Sequence, residues 1–425
     1  MHDEVIAEAV RTHAEDAGTS QHDAWRRVDG YIREIVPFFN VVAYYQVGYR
    51  AAGWLLHLFY KPSVDFEDAR ARERLPRDAV ILYVMNHRSN ADYILVSYAL
   101  AGQVAISYAV GEWARAFPLE LVFKAFGSYF IRRRFREPLY HAVLERYVQL
   151  ITREGVTQGI FVEGGLTRDG KLRATKVGLL DYVLGIGRDP AYAGRLHVVP
   201  VAVNYDRVLE DRSLLRELDA KSGGSRPSRF AQAYEVLHYV GWNMARLVSR
   251  RWKRYGRAAV VVGAPIPLAS WFATHEGLFM LDRPERLAEV QRLCDQLLER
   301  VGRLIPVTPV PLVCAAIQSF DSEFISRDAL LGRIDDMHRA LDELNARVLS
   351  SDHSADEILS RALRMLRMRR VVGDMGSGII VLPHGRQLVS YYANSVAHLL
   401  GPFVEAVRAR DVLPAMAGFG SQTSI

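Results

Sequence analysis

A histidine and an aspartate five residues apart, His87 and Asp92, are the pair in this chain whose types and spacing suit acid–base chemistry. They lie in Asn86-His87-Arg88-Ser89-Asn90-Ala91-Asp92-Tyr93, directly after the apolar run at residues 79–85. A carboxylate on one imidazole nitrogen fixes the tautomer and leaves the other to take a proton from a substrate hydroxyl. The run is short, rich in β-branched and aromatic residues and preceded by Pro76-Arg77-Asp78, which predicts a strand. Residues 94–100 return to apolar character after Ser89, Asn90 and Asp92, residue types that cap helices. The expected geometry is a strand ending at His87, with Asp92 in the first helical turn folded back on the ring. The same spacing also fits a helix-capping Asp beside a satisfied loop His.

Three further polar constellations follow apolar runs. Gly127-Ser128-Tyr129-Phe130-Ile131 leads into Arg132, Arg133, Arg134 and Arg136, placing cations where a sheet presents its ligand side. Phe161-Val162-Glu163-Gly164-Gly165-Leu166-Thr167-Arg168-Asp169-Gly170-Lys171 ends another strand in a charged turn. Its glycines would let the backbone approach an anion, with Arg168, Lys171 and Lys176 supplying charge. The spacing imitates a P-loop, but Leu172 stands where a magnesium-holding hydroxyl would be, which argues against nucleotide binding. Residues 196–204 form a buried strand ending at Tyr205, in which Pro200 suggests an edge or a bulge.

The elements that must position these groups alternate strand and helix. Strands are expected at 79–85, 104–108, 127–131, 159–162, 196–204 and 258–262, with helices at 113–126, 138–153 and 230–255. The fold class is α/β: a mixed sheet flanked by helices, with two N-terminal amphipathic helices broken near Gly18-Thr19-Ser20 and a C-terminal helical domain. The latter follows a joint at Pro306, Pro309 and Pro311 and carries a short β-like piece at 378–382. The expected division is residues 1–60, helical and membrane-facing; 61–310, the α/β domain; and 311–425, helical. Residues 35–60, rich in aromatics but interrupted by Asn40, Gln46 and Arg50, are expected as an interfacial helix rather than a span.

Composition narrows the class. The 425 residues carry 54 Lys plus Arg against 48 Asp plus Glu, and only six of the cations are lysines, so the basic side chains favour bidentate contacts to phosphate. Half of the residues are hydrophobic, which excludes a disordered chain. Arginines and aromatics interleave around Arg246, Arg250-Arg251-Trp252-Lys253-Arg254-Tyr255 and Arg257; without a nucleic-acid module, an anionic membrane surface is the expected partner. Cys294 and Cys314 have no metal-ligand spacing, fit a reducing compartment and do not look like nucleophiles. Residues 1–40 are polar with both signs of charge and read as no signal peptide.

In this order, the four constellations resemble the four blocks of the glycerolipid acyltransferases. Phe130-Ile131-Arg132-Arg133 and Glu163-Gly164-Gly165 narrow the resemblance to the bacterial glycerol-3-phosphate and dihydroxyacetone-phosphate acyltransferase branch. Tyr391-Tyr392-Ala393-Asn394-Ser395-Val396-Ala397-His398 is similar to that branch's Tyr-Tyr-Arg-Asn-Asn run. Leu166 and Ala393 each stand where the branch has Arg, so phosphate ligation would pass to Arg168 or the arginines at 132–134. The resemblance implies a membrane-associated acyltransferase that moves a fatty acyl group from acyl-CoA or acyl carrier protein to glycerol-3-phosphate, giving lysophosphatidate. His87 would be the base and Asp92 its orienter; Arg132, Arg133, Glu163, Gly164, Gly165, Arg168 and Lys171 would bind the acceptor. No metal or cofactor beyond the thioester co-substrate is implied. The expected location is the cytoplasmic face of the cell membrane, peripheral or monotopic. Lysophosphatidate or dihydroxyacetone phosphate as acceptor, or a catalytically silent lipid-binding homologue, are the alternatives.

Overall fold

The computed structural model describes residues 3–40, 48–100, 105–111, 119–132, 135–221, 254–349 and 354–417. Two helices, α1 (Glu4–Ala17) and α2 (Gln21–Ile35), open the chain as expected. Gly18 closes α1 in the left-handed region at φ 60°, and the Ser20 side chain caps α2 by accepting from the Asp23 N–H. The expected interfacial helix over 35–60 is shorter. Pro37 disfavours helix at Val36, where α2 ends in extended backbone, and α3 is Tyr49–Phe59.

The rest of the first half alternates: β1 (Lys61–Phe66), β2 (Val80–Met85), α4 (Asp92–Ala99), β3 (Ser107–Gly111), α5 (Leu119–Ala125), β4 (Tyr129–Ile131), α6 (Pro138–Arg153), β5 (Gln158–Phe161), α7 (Gly178–Leu184), α8 (Pro190–Ala193) and β6 (Leu196–Tyr205). After α9 (Asp211–Lys221) come β7 (Arg257–Val262), β8 (Ile266–Pro267), α10 (Ala269–Thr274), α11 (Arg283–Leu304) and α12 (Pro309–Gln318). The chain closes with β9 (Phe324–Ser326), α13 (Arg327–Glu343), α14 (Ala355–Met368), β10 (Val372–Asp374), β11 (Gly378–Val381), α15 (Arg386–Asn394) and α16 (Ala397–Ala417). The expected helix at 230–255 and most of its basic end lie outside the described residues. Arg257 is no part of that basic end: it opens β7 and is buried.

Eight strands form the main sheet in the order β1-β7-β6-β2-β5-β3-β4, with β8 on β6. The five strands β6-β2-β5-β3-β4 are mutually parallel, and β7 joins β6 antiparallel. The chain steps outward from β2 to β3 and β4, then returns to lay β5 on one side of β2 and β6 on the other. The carboxyl ends of β2, β5 and β6 therefore share one edge, where parallel α/β sheets bind ligands.

Three expectations about strands change. The third strand runs Ser107–Gly111 rather than 104–108; buried throughout, it has no polar alternation to mark its start. Strand β1, which no apolar run announces, pairs with β7 at the sheet edge, where Pro62 is tolerated. Pro200 sits at neither edge, because β6 is central. On its far flank β6 pairs with β8 at His197 and Val198 and with β7 from Val201 onward. Pro200 falls where one partner gives way to the other, and its carbonyl accepts the Gly263 N–H at 2.8 Å. Its missing donor thus faces a gap in the ladder.

Side chains alternate between two cores. Val80, Leu82 and Val84 face a cluster shared with α1, α2, α6, α7 and α11, while Tyr83 and Met85 face one shared with α4 and the helices from α12 to α15. The sheet and the C-terminal helices thus bury apolar surface in the same core. β10, β11 and β9 form a separate three-stranded antiparallel sheet, of which β11 is the expected short β-piece.

Candidate active site

Strand β2 ends at Met85 and delivers His87, 1% exposed, to the carboxyl edge of the sheet. Asn86 locks the exit by bonding both ways with Val203 of β6: its amide donates to the Val203 carbonyl at 3.0 Å and its oxygen accepts the Val203 N–H at 2.8 Å. The chain reverses, and Asp92 in the first turn of α4 places Oδ2 2.9 Å from His87 Nδ1. That oxygen also accepts the N–H groups of Arg88 at 2.7 Å and Ser89 at 3.0 Å, while Oδ1 accepts the Tyr205 hydroxyl at 2.6 Å. Asp92 does not cap α4 by side chain; it is spent on the turn and the ring. An acceptor-only carboxylate in this position puts the imidazole proton on Nδ1 and makes Nε2 the nitrogen that can receive one. The ring stacks on Phe161 at 4.0 Å between centroids and meets Tyr93 edge-on.

The loop after β5 is laced to this turn. Glu163, 1% exposed, accepts the His87 N–H at 2.8 Å through Oε1 and the Arg173 N–H at 2.7 Å through Oε2, and Thr167 N–H donates to the His87 carbonyl at 3.2 Å. Burial pushes the Glu163 carboxyl up to about 7, against the pull of its two N–H donors and of Arg88 and Arg173. Both Glu163 oxygens brace main chain. Gly164 takes φ 64°, and a side chain there would collide with the Lys176 stem at 2.7 Å; Gly165 is buried and its carbonyl accepts from Arg173 at 3.0 Å. Arg88, buried, donates to the Gly170 carbonyl.

The raised Glu163 pKa makes a pH prediction. Between the ordinary carboxylate range and about 7, the folded protein holds a proton that the unfolded chain has released, so this group's contribution to stability falls as pH rises through that window. Unfolding of the wild type and of Glu163→Gln between pH 4.5 and 8 should show the wild type losing roughly 3 kcal/mol relative to the variant as pH rises, with no further change above 7. A pH-independent difference would contradict it.

The other expected binding residues divide by location. Arg168 and Lys171 lie on the loop after β5; Arg168 Nε donates to Glu217 of α9 at 2.9 Å, and Lys171 is exposed. Arg132 ends β4 at the same edge but three strands from β2, its guanidinium paired with Glu34 of α2 (Nε to Oε1, 2.7 Å) and lying over the Phe135 ring at 4.7 Å. Arg133 lies outside the described residues. Four groups that touch this turn carry no expected role from sequence: Arg88, Tyr205, Arg173 and Glu210. Glu210 accepts from the Ser89 hydroxyl at 2.7 Å and the Asn90 N–H at 3.2 Å. Tyr205 had a legible signal, a hydroxyl ending a strand expected beside β2.

On the same sheet face as Tyr83 and Met85, an apolar cavity of about 440 Å³ opens between Tyr83, Val199, Val262, Phe66 and Leu100 at the far end of α4. The two cysteines are buried, and burial raises Cys294 to about 12, so neither is a ready nucleophile. Among the described residues, no cluster of His, Cys, Asp or Glu could hold a metal ion.

Comparison with known proteins places these features. Residues 68–204 match a family model described as acyltransferase, and residues 242–403 match one described as glycerol-3-phosphate acyltransferase C-terminal region. Proteins named glycerol-3-phosphate acyltransferase are similar over 93% of this chain, at 27% identity in Aeromonas hydrophila and 28% in Xanthomonas campestris. The matches cover 48% and 44% of those two proteins, so this chain spans less than half the length of the curated relatives it matches. Among solved structures, the 1-acyl-sn-glycerophosphate (LPA) acyltransferase from Thermotoga maritima aligns over 69% of this chain and 95% of its own, at 17% identity and a TM-score of 0.30. Carrying an acyltransferase region followed by a glycerol-3-phosphate acyltransferase C-terminal region, the chain is a relative of the bacterial glycerol-3-phosphate acyltransferases.

Proposed function

We propose that this protein transfers a fatty acyl group from a thioester, acyl-CoA or acyl carrier protein, to a hydroxyl of glycerol-3-phosphate. The observation that carries the reading is the buried His87–Asp92 pair, 2.9 Å apart, at the edge where the loops of β2, β5 and β6 converge. Nε2 takes the hydroxyl proton as the oxygen attacks the thioester carbonyl. The tetrahedral intermediate collapses with cleavage of the C–S bond, and the departing sulfur takes the proton back from the imidazolium. Thiolate leaves readily, so no acyl-enzyme is needed.

Arg168 and Lys171 would meet the acceptor phosphate from the loop hydrogen-bonded to His87, joined by Arg133 and by Arg132 once Glu34 releases it. Arg168→Ala should raise the acceptor KM about tenfold or more, the worth of a hydrogen bond to a charged group, with kcat nearly unchanged. An unchanged KM would remove Arg168 from the phosphate site. The apolar cavity beside Tyr83 would take the acyl chain.

The protein would work at the cytoplasmic face of the cell membrane. Among the described residues no helix is long and apolar enough to cross a membrane. Phe38 at 54%, Leu121 at 51% and Trp54 at 63% exposure are the side chains proposed to enter the interface. They are neighbours in the fold: Asn40 N–H donates to the Ala125 carbonyl at 2.9 Å, and Gly48, at the start of α3, abuts the Phe126 ring.

The deciding experiment is acyl transfer from long-chain acyl-CoA by purified protein in lipid, with glycerol-3-phosphate, dihydroxyacetone phosphate and lysophosphatidate as competing acceptors. Transfer to glycerol-3-phosphate that vanishes in His87→Ala supports the reading. Leu166, in place of the arginine of the related branch, is the observation that favours testing the other two acceptors, and transfer to either one alone moves the acceptor. Silence with every acceptor and with acyl carrier protein as donor would leave a lipid-binding homologue.

A further inference from the structure

The Tyr391-Tyr392-Ala393-Asn394 run ends α15, far along the chain from the His87 turn, yet it lies against the loops that flank that turn. Asn394 Nδ2 donates to the Asp169 carbonyl at 2.8 Å. Gly170, at φ 89°, passes so close beneath Tyr391 that a β-carbon there would lie 1.9 Å from the Tyr391 carbonyl oxygen. From the other side Arg88 donates to the Gly170 carbonyl. Residues 169–170 are therefore gripped between the His87 turn and α15. The same helix holds the loop after β6: the Tyr392 hydroxyl accepts the Val208 N–H at 3.1 Å, and Gln387 donates to Asp219 at 3.1 Å.

Arg168 and Lys171 flank this gripped dipeptide. Neither cation touches α15; what α15 holds is the main chain that sets where both side chains start. We infer that Asn394 is a positioning residue for the anion-binding loop, acting through the Asp169 carbonyl, so that the C-terminal region completes the acceptor site without contacting the substrate. The identity of the anion rests on the proposed glycerol-3-phosphate reading, whereas the ordering of the loop does not.

The test uses the full chain with Asn394→Asp, which keeps the shape but turns an oxygen toward the Asp169 carbonyl, and with Asn394→Ala. Both should raise the KM for glycerol-3-phosphate about fivefold, the worth of one lost hydrogen bond, while kcat and the KM for acyl-CoA stay within about twofold. Amide hydrogen exchange in residues 166–173 should quicken by a similar factor, with exchange in β2 and α6 unchanged. Wild-type kinetics and exchange in both variants would overturn the inference. So would exchange that quickens across the whole chain, which would make Asn394 a general stabiliser. Faster exchange confined to 166–173 in a protein that acylates no tested acceptor would sustain the clamp and overturn the glycerol-3-phosphate reading instead.

Discussion

His87→Ala is expected to lower acyl transfer by roughly 10²- to 10⁴-fold at saturating acceptor and donor, the range that a positioned general base contributes. The ring is buried, its Nδ1 is committed to Asp92, and its main chain is held at both ends by Glu163 and Thr167. Among the described residues nothing else is so placed to take the hydroxyl proton: Glu163 spends both oxygens on main-chain donors, and burial raises both cysteines. The loss should fall on kcat, because the base acts only as the hydroxyl attacks. Asp92→Asn should also be severe, since the amide can present its NH₂ to Nδ1 and favour the wrong tautomer. Rates measured beside an unfolding curve separate chemistry from folding. A variant that folds normally and turns over at near the wild-type rate would remove His87 from the mechanism.

Arg369→Ala is expected to destabilise the fold by about 3–5 kcal/mol, the cost of leaving a buried charge without its partner. Arg369, 7% exposed, follows α14 and donates to Asp211 Oδ1 at 2.8 Å with a second bond to Oδ2, while the Tyr392 hydroxyl also donates to Asp211. With Arg369 gone, the Asp211 carboxylate stays buried beside a single hydroxyl. Asp211 opens α9 directly after Glu210, which holds Ser89 and Asn90, so the damage should reach the His87 turn. Adding Asp211→Asn should recover part of the stability by removing the stranded charge, a coupling that a double-mutant cycle in urea would measure. Additive effects of the two changes would show that the pair does not act as a unit.

The sequence alone determined whatever depends on neighbours along the chain. The strand-turn-helix around His87 and Asp92 was legible because the apolar run, the reversal and the return to apolar character fall within two dozen residues. The N-terminal helix pair was legible for the same reason, with Gly18 and Ser20 as punctuation. Even there, the capping reading of Asp92 was open until the fold showed its oxygens on the ring, the turn and Tyr205. Strand order was decided by tertiary pairing. That order makes Pro200 tolerable in a central strand, since only the change of partner from β8 to β7 removes the need for its N–H.

The roles of the remaining charged residues also required the fold. Arg132 and Arg168 are both cations after apolar strands, yet one pairs with Glu34 on the N-terminal helix and the other lies on the loop bonded to His87. Glu163 looked like a substrate contact and instead joins two stretches of main chain. Asn394, more than 200 residues from Asp169, reaches it only because α15 packs over the carboxyl edge of the sheet. A residue's type and its local period state what it can do and which face it occupies. Which partner satisfies a buried donor or charge depends on groups distant in sequence, and only the packed structure brings them within hydrogen-bonding range.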